Sequence, residues 1–375
     1  PISKEFPFIN RDISWLSFNE RVLQEAEDDR VPLLERLRFL GINSSNRDEF
    51  FRVRVATIRR MVHFGKKGKE LLGDPPKKLL KQIQETVLRQ QKRFEQAYVR
   101  LIQELESENI SIINEKQLNK TQGEFVRRYF KEHVQPYIVP IMINATPSFP
   151  YLKDKSIYLA IKFSSRRKDF KATYALVEVP TDVVSRFLVL PTEGKTVILI
   201  LLDDVIRFCL DEIFPIVRYD MARAYTIKIT RDAELDIDSD VSKSWMEKVE
   251  KSVKQRKRGM PVRLIYDHSI PKDLLSFILR KIKLNRSEQL TPGGRYHNFK
   301  DFIQFPNVGR PQLRYRQHAP IDHPDFSGQR SLFDVIRRKD VLLSYPHHSF
   351  SHIIDLLREA SIDPKVKSIH ITLYR

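Results

Sequence analysis

The chain has 375 residues, of which 41% are hydrophobic and 30% are charged, and its formal net charge is +18 at pH 7. This length exceeds one ordinary hydrophobic core and predicts two or three domains, and the many core-forming residues exclude a disordered chain. A positive surplus of this size predicts a polyanionic partner: a nucleic acid, a membrane surface, a nucleotide or another phosphate-rich ligand.

Apolar residues recur at helical spacing through residues 1–108, which predicts a bundle of antiparallel helices. Pro32 occupies the first turn of the second helix, and Pro76 begins a long helix that ends near Leu105. The glycines and lysines of residues 65–69 predict a loop between helices.

The most informative stretch, residues 41–64, is predicted to begin as a polar turn and to continue as a helix. Asn46 and Glu49 have the spacing of a capping box, and Ser45 with Asp48 offers the same signature one residue earlier. The free N–H groups of a helix start, with arginines nearby, suit an anion such as phosphate. A capped surface helix with solvated arginines is the alternative. Helical spacing gives an apolar face with Phe51, Val55, Ile58 and Val62 and a basic face with Arg52, Arg59 and Arg60.

The sequence pattern changes near residue 109, where runs of β-branched and aromatic residues predict strands. Mixed strands and helices without regular alternation predict an α+β domain. The predicted strands are 157–163, 174–179, 196–202, 225–230 and 262–266, and the predicted helices are 241–257 and 271–283.

Residues 289–330 are rich in proline and are predicted to form a linker or an inter-domain crossing. After them the pattern predicts a βαβ unit, whose two strands alone could not bury both faces of a parallel sheet. The last domain is therefore expected to be truncated at Arg375. Its predicted elements are a helix at 332–338, a strand at 341–345, a helix at 350–360 and a strand at 367–374.

Four features have both a functional and a structural interpretation. The adjacent His347 and His348 are a possible metal pair, but solvated loop histidines fit them better because neighbouring side chains diverge. His297 contacts a ligand or simply fixes a loop. The single Cys209 lies in an apolar run as a small buried hydrophobe, and no internal disulfide can form. The alternating acids from Asp232 onward resemble a cation loop, but they lack the glycine and closing glutamate of an EF-hand and favour a solvated strand end.

Several segments together resemble bacterial polyphosphate kinase. Residues 10–23, Asn-Arg-Asp-Ile-Ser-Trp-Leu-Ser-Phe-Asn-Glu-Arg-Val-Leu, resemble its N-terminal signature, and residues 44–55 continue the match. Residues 229–235 resemble its Thr-Arg-Asp-Ala-(Asp/Glu)-Leu strand, and residues 361–375 resemble its stretch that ends in Thr-Leu-Tyr-Arg. The resemblance covers the whole chain, in order.

The resemblance implies an enzyme that transfers the γ-phosphate of ATP to a histidine, from which polyphosphate grows. It implies an N-terminal helical domain over 1–108, an α+β head domain over 109–318 and the start of a phospholipase D-like α/β domain over 319–375. Asn46 matches the nucleotide-contacting asparagine. Arg375 matches an arginine at the phosphate and Mg²⁺ site, where we expect it to contact phosphate oxygens that the metal also binds.

The resemblance also implies what this chain lacks. The family's phosphate-accepting histidine lies beyond Arg375, and none of the ten histidines here is followed two residues later by lysine. We therefore expect an inactive N-terminal half with ATP, ADP, polyphosphate and Mg²⁺ as ligands and no specific nucleic acid. A homo-oligomer is expected in the cytoplasm, or peripherally at the inner membrane, since no apolar run is long enough to span a bilayer. The alternatives are a non-enzymatic polyanion-binding module and an oligomerisation module.

Overall fold

Helices come first along the chain and two β-sheets follow in the described residues of the computed structural model. This arrangement confirms the predicted α+β class with a helical N-terminal region. The chain divides into two compact units, Pro1–Arg314 and Tyr315–Arg375. None of the described helices is both long enough and apolar enough to cross a lipid bilayer. The structure describes residues 9–145, 149–167, 170, 172–232, 259–284, 289–316, 318–328 and 331–372.

Five α-helices among the described residues form the N-terminal part of the first unit. Pro76 opens the long helix α5 as predicted, because a residue in the first helical turn needs no N–H donor. Helix α5 packs against the three helices that precede α4. In chain order the helices are α1 (Arg11–Glu27), α2 (Leu33–Phe50), α3 (Ala56–Met61), α4 (Gly65–Leu72) and α5 (Pro76–Ser107).

Helix α2 runs without interruption through the predicted polar turn. It continues into α3 through a π-helical turn, Phe51–Val55, so residues 33–61 form one helix with a single wide turn. The helix start and the capping box predicted at Asn46, and the alternative one residue earlier, are therefore wrong, because N–H groups in mid-helix are bonded to the preceding turn. The predicted apolar face is confirmed, with Phe51, Val55 and Ile58 buried and Val62 partly buried against the same core.

Residues 65–69 form the start of helix α4 and not the predicted loop. Gly65, with a φ of 52°, makes the break from the preceding turn, and Gly73, with a φ of 75°, ends the helix in the left-handed conformation that glycine favours. Lysine, glutamate and leucine are good helix formers, and they outweigh the internal Gly68.

The predicted strands of the first unit are confirmed to within a few residues at each end. One sheet has the order β2-β4-β3-β7-β8-β9, antiparallel except at the β8–β9 pair, and the other has the order β1-β6-β5 with β1 parallel to β6. The strands are β1 (Ile110–Ile113), β2 (Ile141–Met142), β3 (Ile157–Ser164), β4 (Thr173–Val179), β5 (Phe187–Leu190), β6 (Val197–Leu201), β7 (Met221–Arg231), β8 (Pro261–Asp267) and β9 (Leu290–Gly293).

Helices cover parts of both faces of the six-stranded sheet. Helices α6 (Lys120–Tyr129) and α7 (Leu202–Phe208) share one apolar core with strands β3 and β4. Helix α9 (Lys272–Ile282) shares a second core with the opposite face, and a short helix α8 (Leu210–Ile213) follows α7. Cys209 is buried as predicted, and burial raises the pKa of its thiol to about 12.

Part of the predicted linker belongs to the folded core of the first unit. Strand β9 completes the sheet, and its Pro292 is tolerated at the sheet edge, where a missing N–H leaves no ladder partner unpaired. The 3₁₀ turn Phe299–Gln304 packs on α2 at Gly41. A Cβ at Gly41 would lie 2.9 Å from the backbone nitrogen of Ile303, so the close approach requires glycine there.

The second unit contains two helices among its described residues, α10 (Leu332–Ile336) and α11 (Ser351–Ile362), as predicted. Residues 341–345 and 363–372 form no strand, so the βαβ unit expected there is not formed in the part of the unit that the structure describes. Two parallel strands alone cannot bury both faces, which gives the physical reason. Three predicted features, the helix 241–257, the acids 234–240 and Arg375, lie outside the described residues.

Candidate nucleotide and anion site

Asn46 lies half-buried on α2, where it faces α1. Its Nδ2 donates a hydrogen bond to Asn19 Oδ1 at 3.1 Å. Asn19 is buried and exchanges two hydrogen bonds with Asn43: Asn19 Nδ2 donates to the Asn43 carbonyl at 3.2 Å, and Asn43 Nδ2 donates to the Asn19 carbonyl at 2.7 Å. These three side chains, which we call the asparagine bridge, join α1 to α2. The nucleotide contact expected of Asn46 stays a prediction.

Asp48 points from α2 into a buried contact with the six-stranded sheet. Lys228 on β7 donates through Nζ to Asp48 Oδ2, and Arg263 on β8 donates through Nη2 to Asp48 Oδ1 at 2.8 Å. Asn298 Oδ1 accepts another hydrogen bond from Lys228 at 2.6 Å, and the Arg263 guanidinium lies 3.8 Å from the ring centroid of Phe51. A charged contact of Asp48, Lys228 and Arg263, which we call the buried ion cluster, thus ties helix α2 to the sheet.

The buried ion cluster holds one carboxylate between two cations. Burial would raise the pKa of Asp48, but the charges of Lys228 and Arg263 outweigh burial and hold that pKa below its usual value. Burial lowers the pKa of Lys228 despite the attraction of Asp48, and burial lowers the pKa of Arg263 to about 10. Within the described residues, Nε and Nη1 of Arg263 are buried without a hydrogen-bond partner. Asp48 is therefore the group on which the burial of both cations depends.

Two arginines of the predicted basic face, Arg52 and Arg60, take part in ion pairs within the chain. Arg52 Nε lies 3.2 Å from the Asp154 carboxylate, in the segment before β3, and Arg60 pairs with Asp232, directly after β7. Both arginines are about one-quarter exposed. The anion site predicted at a helix start is wrong, because no helix starts there, and these arginines instead bridge the helix to the sheet region.

A basic surface remains along α4 and the first turn of α5. Its lysines are exposed and form no ion pair within 4.0 Å with any residue that the structure describes. This α4–α5 lysine surface comprises Lys66, Lys67, Lys69, Lys77 and Lys78. It is open to a polyanion.

His297 is buried and fixes a loop, in agreement with the structural interpretation. Its Nε2 donates to the Gly294 carbonyl at 2.8 Å. Burial, together with the positive charges of Lys228 and Arg186, lowers the pKa of His297 to about 3. The imidazole is therefore neutral at physiological pH, where it holds the turn after β9 beside the sheet.

The two adjacent histidines of the second unit do not form a metal pair. His347 is exposed, whereas the His348 ring accepts a hydrogen bond through Nδ1 from the Ser344 N–H at 2.9 Å. No group of three or more histidine, cysteine or acidic side chains within the described ranges is arranged to hold a metal ion. Arg375, which was expected beside Mg²⁺, lies outside the described residues, and the expected Mg²⁺ stays a prediction.

The sequence did not single out Lys228 or Arg263. Strand β7 alternates, with Ile227 and Ile229 on one face and Lys228 and Thr230 on the other, and this is the pattern of a strand with one solvated face. In the structure the polar face is buried under α2 and the π-helical turn. A lysine and an arginine within otherwise apolar strands could have indicated a buried ion pair, because these residues are rarely buried unless they are paired.

Comparison with known proteins assigns the chain in three consecutive parts. Family models match it as polyphosphate kinase N-terminal domain over residues 8–113, middle domain over residues 121–305 and C-terminal domain 1 over residues 331–375. The crystal structure of polyphosphate kinase from Porphyromonas gingivalis superimposes with a TM-score of 0.76 at 30% identity, covering 96% of this chain and 50% of that one.

Curated relatives carry the same name. A polyphosphate kinase of Vibrio parahaemolyticus is 43% identical over 380 residues, which is 100% of this chain and 54% of that protein. The Escherichia coli K12 polyphosphate kinase is 43% identical over 383 residues, again 100% of this chain and 54% of that protein. The chain thus spans about half the length of the curated relatives it matches. On the ordered family matches and these identities, the chain belongs to the polyphosphate kinase family.

Proposed function

We propose that this chain is the N-terminal half of a polyphosphate kinase, which transfers the γ-phosphate of ATP reversibly to a growing polyphosphate chain. The observation that carries the proposal is the match of the N-terminal, middle and first C-terminal family models in order along one chain. The resemblance puts the phosphate-accepting histidine beyond Arg375, so this half alone is inactive. Phosphoryl transfer relies mainly on positioning and charge neutralisation, and this half contributes to positioning.

In this proposal Asn46 contacts the nucleotide, and two sets of contacts hold it in place. The asparagine bridge fixes its amide against α1. The buried ion cluster fixes the same turn of α2 against the sheet through Asp48. Arg375 contacts phosphate oxygens, and Mg²⁺, when bound, neutralises charge on those phosphates.

The test compares the 375-residue chain with the complete gene product in ATP-dependent synthesis of polyphosphate. We expect synthesis by the complete protein and none by the 375-residue chain. Synthesis by the shorter chain would refute the placement of the acceptor histidine beyond Arg375. A complete protein that folds, yet makes no polyphosphate from ATP and no ATP from polyphosphate and ADP, would refute the proposed activity.

The α4–α5 lysine surface favours a second candidate function, the binding of a polyanion without catalysis. Replacing Lys66, Lys67 and Lys69 together with glutamine removes three exposed charges from one surface. We expect this variant to bind polyphosphate more weakly at low salt than a control with Lys116→Gln and Lys120→Gln, whose side chains are also exposed. Equal binding by both variants would exclude this surface, and parallel filter-binding assays with DNA and RNA separate a polyphosphate site from a nucleic-acid site.

The resemblance also supports a homo-oligomer in the cytoplasm or at the inner membrane surface. Light scattering over a concentration series tests the oligomer, and a mass that stays at the monomer value would refute it. Fractionation of cells into soluble and membrane parts, with and without a high-salt wash, distinguishes the two locations.

A further inference from the structure

A groove with exposed apolar walls lies at the β2 edge of the six-stranded sheet. Two neighbouring cavities of about 380 and 330 Å³ share Tyr137 and Val183 as a common wall, and we call them together the tyrosine groove. Its wall residues Tyr137, Val139, Tyr151 and Val183 are between 45% and 69% exposed, whereas Leu152 at its floor is buried. Large apolar side chains that are grouped and exposed in this way mark a surface that binds another element.

The tyrosine groove carries three acidic side chains along its rim. Glu178 pairs with Lys153 Nζ at 3.0 Å, and Glu132 lies 3.8 Å from His133 Nε2. Asp182 is exposed and forms no ion pair within 4.0 Å with any residue that the structure describes. Negative charge thus gathers at this groove in a chain whose net charge is +18. A basic amphipathic helix complements both the apolar walls and the acidic rim.

The segment that joins β7 to β8, residues 233–258, begins and ends beside this groove. It lies outside the described residues, but the residues that flank it are described. Arg231 donates through Nε to the Leu152 carbonyl at 2.7 Å and through Nη1 to the Gly259 carbonyl at 2.8 Å. The Arg231 guanidinium also lies 4.3 Å from the ring centroid of Tyr151. Since Tyr151 and Leu152 line the groove, both ends of the segment lie next to its wall.

The sequence of this segment has the chemistry that complements the groove. Its predicted helix over 241–257 places Val241, Trp245, Val249 and Val253 four residues apart on one face. The last 18 residues of the segment contain seven basic and two acidic side chains. An isolated helix of this length is marginal in water, and so narrow an apolar face needs a partner surface to be stable.

The length of the segment allows this helix to lie along the groove. Only Arg258 separates residue 257 from Gly259, so the C-terminal end of the helix is anchored beside Tyr151. A helix of 17 residues is about 25 Å long, and the eight residues 233–240 can span about 26 Å when they are extended. The connection from β7 can therefore reach the N-terminal end of the helix.

We propose that residues 241–257 bind in the tyrosine groove of the same chain as an amphipathic helix. Trp245 and the valines of its apolar face contact the exposed walls of the groove, and its basic side chains lie toward the acidic rim. The proposal gives the second basic cluster of the chain a partner within the chain itself. It does not depend on the activity proposed above.

Trp245 reports on this contact directly. The chain has two tryptophans, so Trp15→Phe leaves Trp245 as the single one. The test measures the quenching of its fluorescence by acrylamide in the 375-residue chain. We expect the quenching constant in the folded chain to lie well below the value for the same chain unfolded in urea, because the groove shields the indole ring.

A double variant of the groove tests whether this shielding comes from the proposed contact. Val139→Lys with Val183→Lys should raise the quenching constant of Trp245 to the value in urea, because replacing two apolar contacts with lysines lowers the docking equilibrium by about 100-fold or more. The matched control is Val99→Lys with Val189→Lys. These valines are 56% and 48% exposed on α5 and β5, outside the groove, and their replacement should leave the quenching constant unchanged.

A variant of the segment tests the same contact and leaves the groove intact. Val249→Lys should expose Trp245 as the double variant does. Glu247→Gln changes the charge by the same amount on the opposite side of the predicted helix and should keep Trp245 shielded. This pair keeps the proposal testable if circular dichroism shows that the double variant does not fold.

Four results would overturn the proposal. The first is a quenching constant in the unmodified folded chain equal to that in urea. The second is an unchanged constant in the folded double variant, and the third is an equal rise in the double variant and its control. The fourth is shielding that disappears when the chain is diluted, which would assign the groove to the segment of a second copy. Equal quenching in Val249→Lys and Glu247→Gln would overturn the proposal in the same way.

Discussion

Replacing Asp48 with asparagine keeps the volume of a buried side chain and removes its charge. The side chains of Lys228 and Arg263 are each 1% exposed, and both share the Asp48 carboxylate. Without that carboxylate, two cations stay buried with no anion in contact. Removing one partner of a buried ion pair costs about 3–5 kcal/mol, and the amide oxygen of asparagine still accepts one hydrogen bond. We therefore expect Asp48→Asn to lower the free energy of unfolding by about 3 kcal/mol.

Urea denaturation followed by tryptophan fluorescence measures this loss close to the site, since Trp15 stacks on Phe50 at a centroid distance of 4.5 Å. The neighbouring Glu49→Gln serves as the control. Glu49 is 48% exposed and pairs with Lys155 at 3.3 Å, so its loss should cost less than about 1 kcal/mol. Adding Lys228→Met to Asp48→Asn should recover part of the loss, because one uncompensated cation is then removed.

The reasoning would be refuted if Asp48→Asn and Glu49→Gln cost the same. It would also be refuted if Lys228→Met made the asparagine variant still less stable. In either case the buried ion cluster would not be what holds α2 against the sheet.

Three further predictions concern single positions. Asn46→Ala in the complete enzyme should raise KM for ATP and lower the melting temperature modestly, because the buried Asn19 loses the hydrogen bond that Asn46 donates; an unchanged KM would refute the nucleotide contact. Burial holds the pKa of His297 at about 3, below its ordinary value of 6.5, so the folded state resists a proton that the unfolded chain accepts. The contribution of His297 to the free energy of unfolding is complete above pH 6.5 and falls by about 1.4 kcal/mol per pH unit as the pH drops toward 3. His297→Gln should therefore remove this slope between pH 6 and 5. The control His133→Gln, at an exposed site, should keep it. Gly41→Ala would place a Cβ 2.9 Å from the backbone nitrogen of Ile303 and should cost about 1–3 kcal/mol in urea denaturation; a neutral result would show that the turn can move off α2.

The strands and the long helix could be predicted from the sequence because their signals are local. The Ile157–Ser164 strand is a run of β-branched and aromatic residues, and α5 begins with a proline and keeps its apolar stripe to the end. The polar turn predicted from residue 41 onward was wrong because the reason for its glycine is not local. Gly41 suggests a turn by its local chemistry, but the structure needs it in the middle of α2, where the Phe299–Gln304 turn comes close.

The candidate site could be predicted from the sequence only where a single residue matches a motif. Asn46 stands out because it matches a motif, yet the capping signature around it could not show that the preceding turn is already helical. The partners of Asp48 could not be found from the sequence, since Lys228 and Arg263 lie 180 and 215 positions away. Whether the polar face of β7 is solvated or buried depends on which helix docks there, and no local pattern contains that information.

The wide turn Phe51–Val55 lets one continuous helix serve two separate cores. Upstream of it, Leu33, Leu37 and Leu40 pack with the C-terminal half of α5, and downstream, Val55 and Ile58 pack with its beginning. Each α-helical residue turns the chain by about 100°, so a single deletion inside the wide turn would rotate everything that follows by that angle while leaving a continuous helix. A protein of this family with one residue fewer between positions 51 and 55 would therefore have to repack the downstream core. The length of this turn, more than any one side chain within it, keeps the two cores in phase.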